Sequence, residues 1–368
     1  MRLKLKTFWA SFHPRKGKEV QEKAETKVIQ ERETLDEEDS VDVKLLLLGS
    51  GESGKTTFAQ QIHLIHQGGY EKQARQNFRY KIFYHLNREI YWILQAMSPL
   101  ETVFENDDNH RLLEMFDLYS TKIFNFDWDL NQPMSFEYFH AIKSLLSDKG
   151  FQLAILKSRQ YTLDGLYFLT DLDRLAGVDY LPTDQDILHA YTVTSGINQN
   201  TINFGNFVYN VVETGGARSE RKKLSYVCDN VDVIIFFIPL SAYNLTLRED
   251  RAENSIVDAL AFFGSIVNSK RFVNTTFVLF FNKLDLFQQK LVWGIPIKKY
   301  FPDYHGKNTD VHNALEFFIE KFRKVVDNPA KELHIHIGQA TDTDTARNIM
   351  ASIQDLMIEP NLSKLKAF

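Results

Sequence analysis

Apolar residues along this chain fall into two kinds of run. Residues 43–48, 231–238 and 276–281 are short, mostly apolar stretches bounded by polar or glycine-containing segments, and in 333–337 Leu333, Ile335 and Ile337 alternate with two histidines. Runs of that length and composition predict strands buried on both faces. Residues 201–204 and 207–212 flank Gly205-Asn206, which predicts a hairpin with a two-residue turn. From Gly69 to Thr183 the period changes. Ile82, Phe83, Leu86, Ile90 and Leu94 recur at helical spacing, and residues 136–158 and 163–175 continue in the same manner. The pattern predicts an α/β chain interrupted by one all-helical insertion, with the α/β part at 41–68 and 188–368 and the insertion at 69–187. Residues 19–40 are acidic and polar, with a weak stripe of Val20, Ala24 and Val28. They predict an exposed N-terminal helix that ends in the run Asp36-Glu37-Glu38-Asp39, either solvated throughout or a docking surface for a partner.

Composition narrows this picture. The 368 residues carry a net charge of −5, so no overall basic field argues for nucleic acid. Cys228 is the single cysteine, which excludes an intrachain disulfide and fits a reducing compartment. The apolar run 233–240 is too short to span a bilayer, and no signal peptide is read at the N-terminus. Residues 1–18 hold six Lys/Arg and no acid, interleaved with Phe8, Trp9 and Phe12. That composition suits an anionic membrane surface and equally a solvated basic tail. Arg2 excludes N-myristoylation, and no nearby cysteine offers a palmitoylation site.

The chemistry begins where the first strand ends. Gly49-Ser50-Gly51-Glu52-Ser53-Gly54-Lys55-Thr56 fits G-x-x-x-x-G-K-T, preceded by a strand signal and followed by a helical one. Backbone N–H groups of such a turn wrap a phosphate chain, and the following helix adds positive potential. Lys55 would place its ammonium on the phosphates, and Thr56 its hydroxyl on Mg²⁺. Gly49 and Gly54 permit backbone angles that a Cβ would disfavour. Downstream, Asn282-Lys283-Leu284-Asp285 follows a buried strand and fits N-K-x-D. The aspartate can accept from guanine's N1–H and exocyclic amine, a donor pair adenine lacks. Asn282 can reach guanine N7, and the stem of Lys283 can cover the ring. Each candidate follows the carboxyl end of a strand, where open α/β sheets bind ligands.

Across residues 20–368 these motifs resemble the alpha subunits of heterotrimeric G proteins. The resemblance is carried by the phosphate loop, by Asp171-Leu172-Asp173-Arg174-Leu175, and by residues 180–188 leading into switch I. Arg218-Ser219-Glu220-Arg221-Lys222-Lys223 in switch II, the guanine loop at 282–287 and Ala340-Thr341-Asp342-Thr343 complete it. It implies a Ras-like P-loop GTPase domain with an inserted all-helical domain and an N-terminal helix, GTP or GDP being clamped between the two domains with Mg²⁺. By the same resemblance the nucleotide contacts are Gly51, Glu52, Ser53, Gly54, Lys55, Thr56, Thr57, Asp171, Leu188, Tyr191, Thr194, Gly216, Asn282, Lys283, Asp285, Ala340 and Thr341. Thr56, Thr194 and Glu213 are the metal positions, and the N–H of Gly216 senses the γ-phosphate. Arg221 is expected to lock switch II against Asp258, and Asp171 to reach Lys283. The implied partners are a beta-gamma dimer and a seven-helix receptor, with an effector the sequence does not name and a regulator of GTP turnover. The implied place is the cytoplasmic face of a membrane, or the cytoplasm.

The chain departs from the family where hydrolysis is performed. The family's switch I arginine is Tyr191 here, and its switch II glutamine is Ala217. The arginine neutralises charge on the transferred phosphoryl group and the glutamine orients the attacking water. Tyrosine carries no positive charge near neutral pH, and alanine can do neither task. Lys55 and Gly216 are the catalytic positions that remain. Glu213 replaces an aspartate that holds Mg²⁺ through water, and its extra methylene is expected to weaken the metal while keeping the charge. Glu52 loses the arginine it faces across the nucleotide. His189 offers a partial stand-in for that arginine. The sequence therefore reads as a guanine-nucleotide switch impaired in hydrolysis. Two alternatives stay open: a pseudo-GTPase scaffold that binds nucleotide without cycling, and a slow GTPase with rearranged catalytic groups. His334 and His336 alternate on one strand face, as metal ligands or as packing residues.

Overall fold

The computed structural model describes residues 40–124, 135–158, 166–190, 194, 196–204, 206–247, 249–307, 309–358 and 361. Strand β1 (Val41–Gly49) leads into helix α1 (Lys55–His66). A helical block follows: α2 (Lys72–Met97), α3 (Asn109–Phe124), α4 (Phe136–Ser147), α5 (Lys149–Ser158), the short α6 (Leu166–Leu169) and α7 (Leu172–Leu175), and α8 (Asp184–His189). The chain then returns to β structure with β2 (Ile197–Phe204) and β3 (Phe207–Thr214), a 3₁₀ turn at Glu220–Tyr226, and β4 (Val233–Pro239). Helix α9 (Ser255–Val267), β5 (Thr276–Asn282), α10 (Leu284–Val292), α11 (Val311–Lys324), β6 (Leu333–Ile337) and α12 (Thr343–Ile358) complete it.

The strands form one sheet in the order β2-β3-β1-β4-β5-β6. Among the strands described, the β2–β3 hairpin pairs antiparallel and the other sheet pairings are parallel. Parallel strands need crossover helices, and these cover both faces, which is why the runs are continuously apolar. Leu46, Leu48, Ile234 and Phe236 face α9 and α11, whereas Leu45, Leu47, Ile235 and Phe237 face α1 and α12. The strand order reverses at β1, so the carboxyl ends of β1, β3, β4 and β5 converge beside the turn into α1, a topological switch point.

The helical block buries its own cluster. Ile82, Leu86 and Ile90 of α2 pack with Phe139, Ile142 and Leu145 of α4 and with Phe168 and Leu172. Residues 136–158, one continuous helical pattern in the sequence, divide at Asp148. Its carboxylate accepts from the backbone N–H groups of Glu105, Asn106 and Phe151 and from Asn109 Nδ2. Bonding a loop and capping α5 at once takes Asp148 out of helical geometry, as side chains that compete for backbone N–H groups do. Strand β2 begins four residues before the pattern predicts, because Asn198, Gln199 and Asn200 pair through backbone alone with Glu213, Val212 and Val211. The register Phe204↔Phe207 leaves the expected two-residue loop, of which Asn206 is described and Gly205 is not. Among the described residues, no helix is long and apolar enough to cross a membrane.

Candidate functional site

The turn between β1 and α1 is the floor of the site. Gly54 adopts φ 100°, and a Cβ there would lie 2.0 Å from Asn282 Nδ2, so glycine is required on both counts. Glu52 takes a left-handed φ of 58° and Lys283 one of 62°, two of the four non-glycine residues with positive φ among those described. Backbone strain of this kind concentrates at functional sites. Lys55 is buried, and its Nζ donates to Gly49 O (3.0 Å), Ser50 O (2.8 Å) and Ser53 Oγ (3.3 Å). Burial lowers its pKa to about 8; the Glu213 charge opposes that shift and Arg221 adds to it. An ammonium held so far below its usual range calls for an anion beside it. Thr57 Oγ1 donates to Leu188 O at 3.4 Å, tying α1 to the end of α8.

Three oxygens meet at the start of α1. The hydroxyls of Thr56 and Thr194 lie 2.7 Å apart. Glu213 Oε1 accepts from Thr194 Oγ1 (3.2 Å) and from Thr56 Oγ1. Two hydroxyls and one buried carboxylate are hard oxygen donors, the set that suits Mg²⁺. The residues therefore fit the metal the sequence implies.

Gly216 closes over this floor. A Cβ on it would meet Ser50 O at 2.4 Å and Gly51 N at 2.6 Å. Ala217 follows, and its methyl group is the first side chain after that contact. Arg218 and Arg221 both turn toward α9. Arg221 makes a two-pronged pair with Asp258, one arm at 3.1 Å, as the sequence anticipates. Arg218 adds Asp258 (2.9 Å), Asp250 (3.4 Å) and Glu253, and its backbone N–H donates to Glu249 (3.2 Å). Burial pushes the Asp258 carboxyl up, yet the bonds and charges of Arg221 and Arg218 outweigh it and hold the carboxyl below the ordinary range. Glu220 accepts from Gly196 N at 2.7 Å and from Lys223 at 2.7 Å, linking the 194–196 segment to the 3₁₀ turn.

On the far side, Asn282 is a brace. Its Nδ2 donates to Ser53 O (2.7 Å), while its Oδ1 accepts from Lys283 N (2.8 Å) and Ala340 N (2.8 Å). One side chain thus joins the phosphate loop, the 282–285 loop and the 340–341 loop. Asp285 lies in the first turn of α10, Ala340 is buried, and Thr341 O accepts from Gln185 Nε2 of the helical block at 3.3 Å. Asp171 accepts from Arg174 Nε within its own turn at 2.9 Å, and that is the contact found for it in place of Lys283. Tyr191 and Ser195 lie outside the described residues, as do the basic segment 1–18 and, apart from Ser40, the N-terminal helix read at 19–40.

The expected stand-in, His189, lies flat on Tyr167 (ring centroids 3.9 Å, interplanar angle 7°), with Nδ1 2.8 Å from Gln185 O. That placement binds it to the helical block. His334 and His336 sit on β6 opposite Val278 and Phe280, and burial and the His334 charge lower the His336 pKa. Among the described residues no group of three or more His, Cys, Asp or Glu could hold a metal.

Three features escaped the sequence reading. Arg75 joins the two chain crossings between the helical block and the sheet: its Nε donates to Tyr70 O (2.9 Å), and its guanidinium reaches Pro182 O (3.1 Å) and Asp184. Arg174 engages the buried Asp186, and Asn282 braces three loops. The bonds from Arg75 to Pro182, Arg174 to Asp186 and Asn282 to Ser53 span 107, 12 and 229 residues of sequence, so only the folded chain reveals them.

Comparison with known proteins follows the same outline. The family model for the G-protein alpha subunit matches residues 18–357. The chain is 37% identical over 328 residues to the guanine nucleotide-binding protein alpha-2 subunit of Neurospora crassa, covering 89% of this chain and 91% of that one. It is 38% identical over 323 residues to the G-protein complex alpha subunit gpaA of Aspergillus fumigatus, covering 87% and 89%. It is 36% identical to a guanine nucleotide-binding protein subunit alpha of Pyricularia oryzae over the same shares. With the phosphate loop, the three-oxygen pocket and the braced 282–285 loop on one sheet edge, the chain belongs to the family of G-protein alpha subunits, nucleotide-binding transducers of signals.

Proposed function

We propose that the chain is a GTP- and GDP-binding switch that hydrolyses GTP slowly or not at all. The observation that carries this is the Gly216-Ala217 step. Gly216 approaches the phosphate loop as closely as its missing Cβ allows, and the next side chain is a methyl group. A methyl group cannot orient water. Arg218 and Arg221 are spent on Asp258 and its neighbours, so neither supports a role at the transferred phosphoryl group. Catalytic arginines in such enzymes are worth on the order of 10³–10⁵ in rate.

In this reading Gly51–Thr57 wrap the phosphates, with Lys55 providing charge. Asn282, Lys283, Asp285, Ala340 and Thr341 form the base pocket, and the block 69–187 is a domain covering the nucleotide. Thr56, Thr194 and Glu213 would hold Mg²⁺, which supplies positive charge to the phosphate oxygens. Thr194 and Gly216 report the γ-phosphate, and Glu220 passes that signal to the 3₁₀ turn. A groove of ≈ 540 Å³ beside that turn, lined by Leu224, Phe262, Ile266 and the basic Lys222 and Arg271, supports partner docking there. The family as a whole works with a beta-gamma dimer and receptors; which of these this chain meets is part of the proposal. Turnover then depends on exchange or on a partner that brings catalytic groups.

Single-turnover hydrolysis of preloaded GTP tests this, beside a Tyr191→Arg, Ala217→Gln double variant. An inert wild type and an active variant are expected. Hydrolysis by the wild type at the variant's rate would refute the proposal.

A further inference from the structure

We infer that Glu213 is a direct ligand of the magnesium ion, the third protein oxygen on it beside Thr56 and Thr194. This rests on the reading of those three residues as the metal pocket. The observation is that one atom, Oε1, receives both hydroxyls: Thr194 Oγ1 at 3.2 Å and Thr56 Oγ1, themselves 2.7 Å apart. Oxygens about 2.0–2.1 Å from an octahedral Mg²⁺ stand roughly 2.9 Å from their neighbours in the same shell. One carboxylate oxygen therefore reaches the same point as both hydroxyls, close enough for all three to be neighbours in one such shell.

The reach of Glu213 is fixed by the fold. The residue is held in register on both sides, opposite Leu47 in β1 and Asn198 in β2, and is buried. Pairing on both sides holds the backbone at 213, so the length of the side chain sets the approach. An aspartate at 213 would fall short by one methylene, roughly 1.5 Å. That is enough to admit a water and turn the contact into an indirect one. The sequence-based expectation was that the longer side chain loosens the metal. The geometry points instead to a carboxylate that replaces a metal-bound water.

The test counts waters. Protein loaded with a non-hydrolysable GTP analogue and Mn²⁺ is placed in ¹⁷O-enriched water, and broadening of the Mn²⁺ paramagnetic resonance lines gives the number of bound waters. Wild type is expected to hold one fewer water than Glu213→Asp. Glu213→Gln keeps the length and removes the charge; it is expected to bind Mn²⁺ at least ten-fold more weakly. Equal water numbers in wild type and Glu213→Asp, with Mn²⁺ and nucleotide bound in both, would overturn direct ligation alone. Nucleotide bound with no Mn²⁺ at all in wild type would overturn the metal pocket as well.

Discussion

Arg174 grips Asp186 with both arms. Nη1 lies 2.6 Å from Oδ2 and Nη2 2.8 Å from Oδ1. The Asp186 carboxylate is fully buried and also accepts from Tyr167, Tyr180 and the Thr183 N–H. It caps α8 at the same time, through the reciprocal Thr183–Asp186 box. One carboxylate thus fixes both the end of the helical block and the helix that leads back to the sheet.

Replacing Asp186 with Asn should destabilise the protein by about 3 kcal/mol, because Arg174 loses its counter-charge and an amide NH2 replaces one of the two acceptor oxygens. Burial pushes the Asp186 carboxyl up, but Arg174 and the Thr183 N–H hold it below the ordinary carboxylate range. Its contribution is then fully present above the unfolded pKa of about 3.9 and lost as pH falls through the lower folded value. Denaturant midpoints of wild type and variant should differ at pH 7 and converge in acid. A constant gap at every pH would contradict this.

Arg75 should control how fast bound nucleotide leaves. It fastens Tyr70 O on one crossing to Pro182 O and Asp184 on the other. Removing two hydrogen bonds and an exposed ion pair costs about 1.5 kcal/mol, or roughly ten-fold in an opening equilibrium. Dissociation of a fluorescent GDP from Arg75→Ala is expected to be about that much faster. An unchanged rate would show that the crossings do not limit release.

Asp258 accepts from both Arg218 and Arg221. In wild type bound to a GTP analogue, residues 218–223 should resist trypsin, and bound to GDP they should be cut. Asp258→Ala should be cut in both states. Identical digestion of wild type with either nucleotide would favour a scaffold that does not cycle.

Gly54→Ala should abolish nucleotide binding while leaving the fold largely intact. The added Cβ would strike Asn282 Nδ2, and the backbone there is left-handed. Isothermal titration with GDP should show at least a hundred-fold weaker binding, and circular dichroism an unchanged helix content. Retained affinity would mean that the turn can relax.

The sheet was legible because strands buried on both faces leave unbroken apolar runs, and 276–281 is a clear case. The phosphate loop was legible because its chemistry depends on residues adjacent in sequence. Strand β2 was legible only from Thr201 onward, since the pairing of Asn198 with Glu213 is a backbone matter that polar side chains conceal. The break at Asp148 was hidden because its bonding partners, Glu105 and Asn106, lie over forty residues away. The N-K-x-D pattern marks Asn282 as a base contact, and its bond to Ser53 O, across 229 residues, gives it a second task. Tertiary partners of this kind leave no local period in the sequence.

On the proposed function, that second task ties recognition of the base to the grip on phosphate. Because one amide joins the turn after β1 to the 282–285 and 340–341 loops, the proposed phosphate and base halves of the site cannot vary independently. Guanosine alone and pyrophosphate alone should each bind poorly, and each should improve the other's affinity. A drift at position 282 would therefore cost selectivity and tightness together, so the chain has no route to a looser base preference that keeps its hold on the nucleotide.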